Sequence, residues 1–144
     1  MRLEFRDGLI FTSLSITYKG KIKKIENIIL DTGAAQSIVS PDAVEELGIT
    51  VEPDDRIVTC YGIGGKQYAV AKRVNGISFG PFKLGDRTID LGPVDLDGKI
   101  NGLLGMDMLM EVGAVIIEMS SINREVLFII CLCKHPRVVK LLVS

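Results

Sequence analysis

The tripeptide Asp31-Thr32-Gly33 follows directly on the apolar run Asn27-Ile28-Ile29-Leu30, and this junction constrains the chain more than any other. Such a run reads as a buried strand, so the sequence delivers a carboxyl group to the end of a core element. Acids are rarely placed there without a partner or a task, because desolvating a charge is costly. The plainer reading is a turn, since Asp bonds its own backbone and Gly supplies a positive φ. Alone, the tripeptide does not choose between the two.

Two other stretches change the balance. Tyr61-Gly62-Ile63-Gly64-Gly65 interrupts a pair of strand-like runs between Arg56 and Val74, and Ile100-Asn101-Gly102-Leu103-Leu104-Gly105-Met106-Asp107 brings an apolar pair up to a glycine. In that order and spacing the three stretches resemble the retropepsin family, the single-domain aspartic proteases of retroviral type, over roughly Leu9 to Val126. The resemblance implies an all-β fold, a retropepsin-like closed barrel or β-sandwich with one or two short helices. It makes Asp31, Thr32 and Gly33 the catalytic loop and Leu103-Leu104 the neighbour threaded beside it. Tyr61, Gly62, Ile63, Gly64 and Gly65 become a flap that, with Ala34 and Leu104, meets the substrate; Val39 and Ile63 are expected to help shape the pockets. Thr32 is implied to bond across a dimer and Gly33 to admit substrate backbone.

Only one Asp-Thr-Gly occurs. Peptide hydrolysis by acids needs two carboxyls around one water, one ionised and one protonated, so activity implies a homodimer with two copies of Asp31 across a two-fold axis. The pair would titrate as a coupled unit, giving a bell-shaped rate profile on the acid side of neutral. The expected partner is a peptide or protein in extended conformation, and no cofactor or metal is called for. Viral members often carry an acid two positions after the loop glycine and an Arg after the later glycine. Ala35 and Met106 stand there instead, so the likeness is closer to cellular and bacterial members. The competing reading is a non-catalytic retropepsin-like module for dimerisation or peptide binding, although Asn, Ser or Gly would make the same turn without the cost of an acid.

Composition narrows the field. Acids and bases nearly cancel and no stretch mixes Lys and Arg with aromatics, which argues against nucleic acid. No apolar run approaches the ~20 residues needed to span a bilayer, and an odd number of cysteines does not suggest a disulfide framework; a soluble, cytoplasmic protein is expected. One histidine, His135, rules out a two-histidine zinc protease. Cys131, Cys133 and His135 alternate on one strand face and would need a fourth ligand such as Cys60 to bind metal; cysteine is more often a small buried hydrophobe.

One domain is expected over residues 1–133, with a tail, 134–144, for which interface strand, helix and loose chain all stay open. Lys19-Gly20 predicts a hairpin turn, Ser40-Pro41 to Gly48 a two-turn helix with Ala43, Val44 and Leu47 inward, and Met106 to Val112 a second helix stopped by Gly113. The order strand, strand, loop, helix thus occurs twice.

Overall fold

The computed structural model describes residues 1, 3–62, 65–95, 97–121, 124–131 and 137–142. The elements run β1 (Glu4–Arg6), β2 (Leu9–Tyr18), β3 (Lys21–Leu30), β4 (Ile38–Val39), α1 (Pro41–Val44), a 3-10 turn (Glu45–Leu47), β5 (Arg56–Gly62), β6 (Gly65–Val74), β7 (Gly76–Phe79), β8 (Phe82–Leu84), β9 (Arg87–Leu91), β10 (Gly102–Leu104), α2 (Met106–Glu111), β11 (Ala114–Ser121), β12 (Arg124–Cys131) and β13 (Arg137–Leu142).

Local chemistry sets the first hairpin. Lys19 and Gly20 both take positive φ, 47° and 81°, the backbone of the tight turn that matches strand twist. Asn75 Oδ1 accepts the Lys19 N–H at 2.8 Å and holds it there. Register then shifts between Thr12 and Leu14, opposite Asn27 at φ 57°. Beyond this irregularity Ile28, Ile29 and Leu30 are buried in succession. The end of β3 is therefore covered on both faces, as the apolar run predicted.

Sheet order is β5-β6-β9-β4-β10-β3-β2-β7-β8, with β1 on β2. The two arms of the loop 31–37, β3 and β4, are not neighbours. β10 lies between them, parallel to β3 and antiparallel to β4. Only glycine fits at its start: a Cβ on Gly102 would stand 2.6 Å from Ile38 O and 2.8 Å from Ile28 Cδ1. One face of these strands, carrying Leu30, Leu104, Val39 and Leu91, joins Val44, Leu47, Phe79 and Met108 in the core.

The first helix has the two turns expected before Gly48, with Val44 and Leu47 in the core and Ala43 packed against it, but its second turn is not α. It is one α-turn followed by a 3-10 turn, with Gly48 left-handed at φ 75°. A 3-10 turn aligns residues three apart, which lets Val44 and Leu47 enter the core together. Ser40 occupies the N-cap position but its side chain makes no cap bond; separately, its main-chain N–H donates to Asn101 O at 2.8 Å. α2 ends as expected, with Gly113 at φ 61°.

β11, β12 and β13 form a separate three-stranded antiparallel sheet. Residues 137–142, expected as part of an unassigned tail, thus pair with β12. Cys133 and His135, named for the metal option, lie outside the described residues, as do Ile63 and Gly64. Among the described residues no helix is long and apolar enough to cross a membrane.

Lys72, 8% exposed on β6, fastens the segment before β5. Its ammonium is 2.7 Å from the Asp55 carboxylate and 3.4 Å from Glu52. The bond to Asp55 holds the Lys72 pKa above its ordinary value, and the same bond, then the Glu52 N–H, holds the Asp55 carboxyl below its own. An acid whose folded pKa is depressed contributes stability above its unfolded pKa and loses it as pH falls through the folded value. A lysine whose pKa is raised contributes below its unfolded value and loses it as pH rises through the folded one. Lys72→Met is expected to lower Tm at neutral pH. In a Tm series against pH, its deficit relative to wild type should hold above pH 3.8, close below it, and close again above pH 10.5.

Candidate active site

Asp31 is half-buried where β3 leaves the sheet, while Thr32 and Gly33 are exposed. The Gly33 N–H donates to Asp31 Oδ1 at 2.8 Å, so the carboxylate is oriented by its own loop. A Cβ on Gly33 would sit 3.2 Å from that oxygen, a tight fit that glycine avoids. Among the described residues the Thr32 hydroxyl has no hydrogen-bond partner.

The loop owes its shape to the one that follows β10. Asp31 N–H donates to Leu104 O (3.0 Å), Met106 N–H to Ala34 O (2.8 Å) and Asp107 N–H to Ala35 O (3.2 Å). Ser37, buried at 2% exposure, completes the join: its hydroxyl accepts the Gly105 N–H at 2.8 Å and donates to Asp107 Oδ1 at 2.6 Å. Gly105 makes the approach possible, because a Cβ there would meet Ala34 O and the Gln36 carbonyl at 2.8 Å. Backbone of one loop thus fills the polar needs of the other.

Strand alternation decides which side chains accompany Asp31. Leu30 faces the core, so Asp31 faces the other side. Leu104 and Val39 were expected to shape pockets; both are fully buried in the core and leave no side-chain surface for a ligand. Their neighbours Leu103 and Ile38 hold the open positions, each half-buried. Register runs Ile29, Leu103, Ile38, Asp90, Ala71, Arg56 straight across β3, β10, β4, β9, β6 and β5. Sequence alone gave no reason to single out Ile38, Leu103 or Asp90, although the core assignment of either residue of a pair settles the other.

Asp90 is the acid in this row. Burial, and then the negative charge of Asp107, push its carboxyl above the usual range, while Arg56 acts in the opposite sense. Cys60, an unbridged thiol on β5, is raised by burial and then by Asp90. Gly62 pairs with Gly65 and Tyr61 with Lys66 at the end of the β5–β6 hairpin, and Tyr61 is 79% exposed. Among the described residues no hydrogen bond joins this hairpin end to the acid loop. Nor do they contain a group of three or more His, Cys, Asp or Glu arranged to hold a metal. A concavity of about 210 Å³ lies away from the acid loop, against Glu4, Phe11, Lys24 and Asn27.

The acid at a strand end, the second loop locked against it and the strand threaded between its arms make up the candidate site. The profile of the aspartyl protease family matches residues 14–108, and the chain belongs to that family, with the all-β retropepsin-like fold. Over 89 residues it is 34% identical to DNA damage-inducible protein 1 of Neurospora crassa, covering 61% of this chain and 19% of that protein. The chain therefore corresponds to a minor part of that relative's length.

The buried Ser37 hydroxyl serves both loops, so Ser37→Ala strands the Gly105 N–H and one Asp107 oxygen. Urea denaturation should find it about 2 kcal/mol less stable than wild type, with Ser37→Thr recovering most of the loss. A cost below about 0.5 kcal/mol would mean that the join is not made through this hydroxyl.

Proposed function

We propose that the chain is one subunit of a homodimeric aspartic endopeptidase that hydrolyses peptide bonds with a water held between two copies of Asp31. The observation that carries this reading is the half-exposed Asp31 carboxylate, oriented by the Gly33 N–H in a loop fixed through Leu104, Gly105 and Asp107. A fixed acid that reaches solvent is what the chemistry requires, and a single chain supplies half of it.

Two carboxyls about 3 Å apart share one proton. The ionised member takes a proton from water as the oxygen attacks the scissile carbonyl, and the protonated member donates to the carbonyl oxygen. Collapse of the tetrahedral intermediate returns a proton to the departing amine, without a covalent enzyme intermediate. Thr32, exposed and free of intrachain hydrogen bonds among the described residues, is assigned to the partner subunit's loop. Ala34 and the flap residues Tyr61, Gly62, Ile63, Gly64 and Gly65 are assigned to the substrate backbone, with Leu103 and Ile38 taking the pocket roles that Leu104 and Val39 cannot. The protease domain is read as residues 1–133, with β13 an addition to it, and the unbridged Cys60 suits a cytoplasmic setting.

Asp31→Asn keeps the turn and removes the proton chemistry. A mixed peptide library assayed at acidic and neutral pH should show cleavage by wild type and a loss of about 10²–10⁴-fold in the variant, with the dimer intact by sedimentation. Undiminished cleavage by the variant would overturn the mechanism. Absence of cleavage by both forms would favour a peptide-binding module.

A further inference from the structure

Asp90 has no place in the proposed hydrolysis, yet it occupies the same open sheet face as Asp31. The row from Leu103 through Ile38, Asp90 and Ala71 to Arg56 lies in register, and each of these residues is half-buried or exposed. The opposite face of the same strands is sealed by Leu104, Val39 and Leu91. An extended peptide laid over Asp31 would run across this open strip.

Among the described residues the Asp90 carboxyl makes no hydrogen bond or ion pair. Ile38 and Ala71 flank it in the row. Asp107 adds a second negative charge nearby, and one of its oxygens is already engaged by Ser37. Arg56, two strands away along the row, is exposed to solvent. A half-buried carboxylate with no ion pair, and with only the more distant charge of Arg56 to favour it, costs stability unless something further compensates it, and a cation arriving with the substrate does so.

We infer that Asp90 is a specificity-determining residue that selects a lysine or arginine side chain of the extended peptide. The inference rests on the protease reading for its cleft but not on cleavage itself. β9 stands three strand spacings from β3, about 14 Å, so the selected side chain lies a few residues from the bond cut rather than beside it.

The test separates recognition from hydrolysis by measuring binding in the Asp31→Asn background. Fluorescent peptides of otherwise apolar sequence carry a single Lys walked through every position, each matched with norleucine. One position is expected to bind about tenfold more tightly as Lys at neutral pH, and the isosteric Asp31→Asn, Asp90→Asn double variant should abolish that preference. A preference that survives Asp90→Asn, or none at any position, overturns the assignment. If wild type cuts nothing while the Asp90-dependent preference is present, the protease reading falls and the role of Asp90 stands.

Discussion

The structure depends on the contact between two loops that glycine alone allows to touch. Gly105 brings its backbone against the carbonyls of Ala34 and Gln36, and the hydrogen bonds from Asp31, Met106 and Asp107 follow from that approach. The sheet enforces it from below. β10 enters between β3 and β4, with Gly102 packed on Ile38 O, so neither arm of the acid loop can shift without the other loop. The half-buried Asp31 is thus positioned mainly by main chain, which has no rotamers to lose and little freedom to wander.

This arrangement does without the acid and the Arg that viral members often carry at the positions of Ala35 and Met106. Ala35 and Met106 carry no charge, but their main-chain groups still bond, Asp107 N–H to Ala35 O and Met106 N–H to Ala34 O. The Ser37 hydroxyl adds a side-chain tie to Asp107. Loss of both ions leaves no stranded charge, and main-chain bonds carry most of the join. Of the acids nearby, Asp107 takes part in holding the loop through Ser37, whereas Asp90 lies in the open row of the sheet beside Ile38.

Much of this was legible in the residues. Lys19-Gly20, Gly48, Gly113 and the apolar approach to Asp31 are local signals, each tied to a backbone angle or to burial over a few positions, and the elements they mark are present. Ser40 shows where locality fails, because it stands at the N-cap position and its side chain makes no cap bond. The choice between Leu103 and Leu104, or Ile38 and Val39, turns on one step of strand alternation, which an apolar pair cannot reveal. Ser37 and Asp107 are 70 residues apart and acquire a common purpose only once β10 is threaded. The significance of Asp90 likewise exists only in the register of six strands.

Subunit mixing reads out whether two copies of Asp31 share one water. Wild-type and Asp31→Asn chains are exchanged at fixed total concentration, and peptidase rate is followed against the wild-type fraction. Since a mixed dimer holds one acid, the rate should fall with the square of that fraction, to about a quarter at equal proportions. A linear fall, to about half, would mean that each chain works alone and that no water is shared between two copies of Asp31.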